Sequence, residues 1–345
     1  MKTSQKELVM NALVKGPKGP RPPVANPTSI VCHGLMDAAG VGFPEAHLEA
    51  QAMADLALAG YEIAGFDAVM PEYSVDQEAA ALDCHVNWGD RDNMPTTTDT
   101  PYADFAPVQV PENLLEKPSV RVVLDAIALL KKHVGNQAAI IGKVMGPWTL
   151  SYHLAGTQNF LLHIGLGERD KVMGMLNALV PVTVANARAQ FAAGADVVVL
   201  ADHATGSLIS PAHYEEYLLP LHKTICAEVS DPLILHVCGP CGDRLHKFAA
   251  TGVAAYHFEY QVGPAFAVKE VGGKMALCGA VNNPQTLLQG SPEEVYAQTR
   301  ECIDAGVDII CPECAIPLAT PLENLKAIVA AARDGYSGDD EAAHA

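Results

Sequence analysis

Eight short apolar runs alternate with longer segments of helical period along the 345 residues, and residue types that carry chemistry gather where several of those runs end. Such alternation is that of βα units around a parallel sheet, and eight parallel strands predict closure. The fold class is therefore α/β, a single (β/α)8 barrel of TIM type. Composition agrees: 49% hydrophobic with only 18% charged residues describes a chain that folds around a large core.

The residues before the first run read as an N-terminal helical extension. Candidate strands then lie near 23–31, 65–72, 138–146, 195–202, 232–238, 253–259, 275–281 and 307–312. Most follow a Gly or Pro that ends the preceding helix. Gly194 in "FAAGADVVVL" and Gly306 in "IDAGVDIICP" both read as helix end, glycine, buried strand. The stretch 87–117, rich in Asp, Thr and Pro, is a long loop excursion between the second and third units, of the kind usually tied to function. No fixed-period repeat interrupts the pattern, so residues 1–334 read as one domain and 335–345 as a flexible acidic tail.

Charge and cysteine usage exclude several classes of function. With 22 Lys+Arg against 40 Asp+Glu the formal charge is −18, which opposes any sequence-independent grip on nucleic acid. No run of about 18 apolar residues and no signal-peptide core is present, so a cytoplasmic protein without membrane attachment is expected. The nine cysteines are odd in number and irregularly spaced, which argues against a disulfide framework and leaves thiols that are free, buried or bound to metal.

In a parallel barrel the loops leaving the C-terminal strand ends converge on one mouth, so chemistry is sought there. Those positions hold Asp202, His236 with Cys238, Glu259, Asn282 with Asn283, and Cys311 with Cys314. His236 and Cys238 are two apart and share a face at a strand end. With Cys314 they form a candidate His/Cys/Cys set, the three N/S ligands with an open fourth position that describe catalytic zinc. Glu259, on the next strand, can close that position until a substrate displaces it, or it is a solvated rim carboxylate. Asp202 and Asn282 are candidates for holding a substrate or cofactor. An N-cap role for the following helix, shared with Ser207 or Ser210, is equally open for Asp202. Two rival readings use the same cysteines: Cys238-Gly239-Pro240-Cys241 copies a thiol-oxidoreductase motif, and with Cys311-x-x-Cys314 it mimics a four-cysteine structural zinc site.

Across nearly its whole length the sequence resembles the uroporphyrinogen decarboxylase superfamily, and within it the methylcobamide:coenzyme M methyltransferase branch. The motifs are "MDAAGVGFPEAH" (36–47), "LALAGYEIAGFDAV" (56–69), "GPWTL" (146–150), "AGADVVVLAD" (193–202), "LHVCG" (235–239) and "CAIPLATPLENLKAIV" (314–329). The resemblance implies a corrinoid-dependent methyltransferase whose zinc is held by His236, Cys238 and Cys314, with an acidic ligand in the region of Glu259. It also implies a methylcobamide donor on a corrinoid carrier protein and a small thiol acceptor such as coenzyme M. In that chemistry a zinc-held thiolate attacks the methyl group on Co(III) and releases Co(I). Transfer to tetrahydrofolate, or demethylation of a methoxylated or methylamine substrate onto Co(I), is the alternative within the same superfamily, and a non-catalytic zinc or redox protein is the alternative outside it. The decarboxylase itself is disfavoured, because "VANPTSIVCHGLMD" has none of the arginines that clasp a polycarboxylate there. Two features depart from the methyltransferase pattern: Glu313 stands where a glycine is usual, and Cys311 is an additional thiol.

Overall fold

A computed structural model describes residues 3–335, so the expected acidic tail lies, except for Gly335, outside the described residues. The central sheet contains β1 (Ala68–Val69), β4 (Ala139–Met145), β5 (Val197–Ala201), β6 (Leu233–His236), β7 (Ala255–His257), β8 (Ala276–Val281) and β9 (Ile309–Pro312), neighbours in that order and all parallel. β2 (Val86–Asn87) and β3 (Thr96–Thr97) form a separate antiparallel hairpin. It opens the expected excursion 87–117, beginning one residue before it, and that stretch is therefore partly structured.

The first expected strand, 23–31, is reduced to the neighbourhood of Val24, yet it closes the barrel. Val24 bridges Ile310 in parallel, Ala25 donates to the Ile310 carbonyl at 3.0 Å, and the Asp67 amide donates to the Val24 carbonyl at 2.7 Å. Its shortness has a local cause. Pro22, Pro23 and Pro27 bring no amide donors to a ladder, and Asn26 turns the chain by accepting from the Thr28 amide and hydroxyl. The second strand is likewise only Ala68–Val69 where 65–72 was expected.

Burial follows from the topology. Every residue of β4, β5, β6, β7, β8 and β9 is buried, since helices cover the outside of the barrel and side chains fill its inside. The N-terminal extension is the helix Gln5–Leu13, started by a capping box between Ser4 and Glu7. It seals the bottom of the barrel: Lys6 reaches the Gly135 carbonyl at 2.9 Å and Asp196, just before β5, at 2.5 Å. The opposite end is left open for chemistry.

Candidate metal centre and its cavity

β6 ends on His236, and the chain runs two residues further to Cys238 before Gly239 turns it away. Gly239 has φ +84°, and a Cβ there would meet Thr205 Oγ1 at 2.0 Å, so this turn admits only glycine. β9 ends on Pro312, and Cys314 follows. The two strand ends bring His236 Nε2 to 3.1 Å from Cys238 Sγ, the two sulfurs to 3.7 Å, and Cys314 Sγ to 3.6 Å from His236 Nε2. A tetrahedral zinc ion with ordinary bond lengths needs about 3.8 Å between sulfurs and about 3.5 Å between nitrogen and sulfur. The spacings fit, with the His236–Cys238 pair a little short. Among the described residues this is the one group of three or more His, Cys, Asp or Glu donors that converges in this way.

The electrostatics of the two thiols also favour a cation. Cys314 is held well below an ordinary thiol by a hydrogen bond from Cys238 and the nearby His236. Cys238 is pushed up by that same neighbour, by burial and by the charge of Glu259. The pair thus surrenders one proton readily and the second only if a positive ion sits between the sulfurs.

The rival cysteine assignments are not met. Cys241 is fully buried with its thiol directed to the Cys238 carbonyl at 3.4 Å, and Cys311 is buried on β9 with its thiol towards the Ile309 carbonyl. Neither joins the donor group, which removes the four-cysteine site, and all nine cysteines are free thiols.

Other expected site residues fall into different roles. Glu259 lies outside the converging group; its carboxylate accepts from Gln261, although its charge still reaches Cys238. Asp202 lines the cavity above the three donors, but its oxygens are committed: Oδ1 accepts from the Thr149 amide at 2.8 Å and Oδ2 pairs with His222 Nε2 at 2.9 Å. It caps the helix Pro147–Ala155 of the preceding unit rather than the following one, where Ser210 accepts from the His213 amide. Asn282 accepts from the Gln285 amide and donates to Glu313, so it is a local cap outside the cavity lining.

Glu313 has a clear structural job. Its Oε2 accepts from the Tyr260 amide at 2.8 Å and its Oε1 accepts from Asn282 Nδ2 at 2.9 Å and the Asn283 amide at 2.8 Å. It therefore ties the loops leaving β7, β8 and β9 together, one residue before Cys314.

A cavity of about 550 Å³ opens over the three donors. Its walls include Thr28, Asp76, Lys143, His153, Asp202 and His203, and the hairpin excursion contributes Met94, Pro95 and Thr97. Lys143 is the single Lys or Arg among the lining residues. Its ammonium donates to the Thr28 carbonyl at 3.2 Å and faces Glu72 and Glu78, while burial lowers its proton affinity. Lys143, Asp76, His153 and Glu72 were missed at the level of sequence. A signal existed: a lysine inside the apolar run "AIIGKVM", and four acidic or amide groups in "PEYSVDQEAA" just beyond the second strand.

Comparison with known proteins settles the lineage. The uroporphyrinogen decarboxylase (URO-D) family model matches residues 4–335. The chain belongs to the URO-D family. Within this family it is 34% identical to the methylated-thiol–coenzyme M methyltransferase of Methanosarcina mazei, over 90% of this chain and 84% of the relative. It is 33% identical to the methylcobamide:CoM methyltransferase MtaA of Methanosarcina barkeri, over 94% and 96% of the two chains. A solved URO-D-like structure, a methyltransferase from Methanosarcina mazei, superposes with TM-score 0.93 at 31% identity over 97% of this chain and 99% of that one. That superposition bears out the α/β barrel. No helix among the described residues is long and apolar enough to cross a membrane.

Proposed function

We propose that this protein is a zinc-dependent methyltransferase that moves a methyl group from a methylated, protein-bound corrinoid to a small thiol, coenzyme M as in the names of its relatives. One observation carries the reading: His236, Cys238 and Cys314 converge with tetrahedral spacing on the floor of an open cavity, leaving a fourth position free. A zinc ion held there would stabilise the acceptor's thiolate and keep it nucleophilic at neutral pH. The chain's own residues do the rest. Two thiols and an imidazole form the donor set, Glu313 fixes the loop carrying Cys314, and the charge of Glu259 reaches Cys238 from outside the set. The cavity holds a small thiol, while a corrin on its carrier approaches from the open side, where Val75 and Met94 expose apolar side chains.

The test is direct. Purified protein is expected to contain one zinc per chain and, mixed with methylcobalamin and coenzyme M, to form Co(I) that is followed optically. His236→Ala is expected to lose both the metal and all methyl transfer. A fully active His236→Ala protein would refute the reading, and faster transfer to tetrahydrofolate or homocysteine would reassign the acceptor.

A further inference from the structure

Asp76 occupies the N-cap position of the helix Gln77–Ala81, yet its side chain makes no capping bond there. It is 1% exposed, and neither carboxylate oxygen has a partner at full hydrogen-bond geometry, although the Thr97 amide and His153 both approach it. A buried carboxylate left in this state costs free energy, and an aspartate at an N-cap ordinarily avoids that cost by bonding the helix amides. This one lines the metal-centre cavity instead. Its near neighbour on the same wall is His153, on the helix Pro147–Ala155, whose Nδ1 lies 3.5 Å from Asp76 Oδ1 and 3.4 Å from Thr97 Oγ1.

We propose that Asp76 and His153 form the proton acceptor of this cavity, the pair that takes up the proton an acceptor thiol loses when it binds at His236, Cys238 and Cys314. The inference rests on the thiol-transfer reading above and names what that reading lacks, a destination for the proton. In the step, the thiol S–H bond breaks, its electron pair stays on sulfur as the donor to the metal centre, and the proton passes to the Asp76 carboxylate or His153 Nδ1. As the methyl group joins sulfur its bond to cobalt breaks, the electron pair staying on the corrinoid as Co(I); the product is a neutral thioether and the proton leaves to solvent.

The surroundings suit the role. Burial raises the Asp76 proton affinity to about 6, outweighing Lys143 on β4 and the nearby Thr97 amide on β3, which both draw it down. Cys84, beyond the helix Gln77–Ala81, feels the carboxylate's charge, and Glu72 and Glu78 face the same Lys143. Burial lowers His153 to about 4, so it is neutral at pH 7. Near neutrality the pair is one carboxylate and one uncharged imidazole, with room for one proton. A thiolate entering the cavity adds negative charge and increases that affinity.

Calorimetric titration of 2-mercaptoethanesulfonate into the zinc-loaded protein, at pH 7 in two buffers of different ionisation enthalpy, counts the protons released. Wild type is expected to release close to none, Asp76→Asn about one per thiol bound, and Asp76→Glu close to none again. The kcat of Asp76→Asn at pH 7 should fall about tenfold while its zinc content stays at one per chain. A full proton released by wild type, or equal release by wild type and Asp76→Asn, would overturn the proposal. A zinc-loaded wild type that binds no thiol would overturn the thiol-transfer reading itself, and this one with it.

Discussion

At the scale of single residues, the site separates side chains that converge on a ligand from those that look similar in sequence but serve the fold. His236, Cys238 and Cys314 converge, whereas Cys241, Cys311, Asp202 and Asn282 turn to backbone or side-chain partners of their own. Asp76 is the exception, a buried carboxylate spent on neither packing nor capping, and its cost is measurable. A free aspartate titrates near 3.8 and Asp76 at about 6, so the native state binds the extra proton between those values. Folding stability therefore falls as pH rises through that window, and the whole penalty is present above it. Asp76→Asn carries no such penalty. Its stability relative to wild type should grow between pH 4 and pH 7.5 by up to about 3 kcal/mol, read by urea denaturation at the two pH values. An advantage that does not change with pH would refute the assignment.

At the scale of elements, one glycine and one aspartate hold the helix that carries His153. A Cβ on Gly146 would meet Asp202 Cγ at 2.3 Å, so the end of β4 comes close enough for Asp202 to accept from the Thr149 amide. The other oxygen holds His222, which in turn meets Tyr214 at 2.9 Å. Asp202→Ala leaves a buried helix amide and the Nε2 of a buried imidazole unpaired and is expected to cost about 2–4 kcal/mol in denaturant unfolding. Zinc content of the folded variant should be unchanged, because Asp202 bonds none of the three donors; zinc loss from folded protein would make it part of the metal centre. The motif "GPWTL" is legible as a strand-to-helix junction. Its partner, 53 residues on, is not, because local periodicity carries no information about which loop packs on which.

For the whole molecule, closure of the barrel depends on a buried ion pair at its weakest seam. Arg21 and Asp67 meet through two 2.7 Å contacts, and Asp67 also accepts from the Val24 amide at 2.7 Å. This compensates for a first strand too short to close the sheet by ladder bonds alone. Asp67→Ala should destabilise by about 3–5 kcal/mol, since it removes both short charged contacts to the buried Arg21 and the acceptor of the Val24 amide. Arg21→Met combined with Asp67→Asn should cost less than the single change, measured in the same denaturation series. A double variant worse than Asp67→Ala would show that the charges contribute net stability.

The alternation of apolar runs and helical segments was enough to determine an α/β barrel, because a strand buried on both faces must be apolar throughout. Residue type at the strand ends, His-x-Cys at the end of the fifth run and a Cys after the last, was enough to nominate candidate metal ligands. Those two facts are local. What only the tertiary structure decided is which candidates meet. The closure at Val24 depends on proline-limited donors and a remote ion pair, and the roles of Asp202, Asn282 and Glu313 depend on partners in other units. Asp76 and His153 are 77 positions apart, and their neighbourhood exists only because two loops share one cavity wall. Such pairings are selected by the energy of burying polar groups together, a property of the assembled barrel and not of any stretch of its sequence.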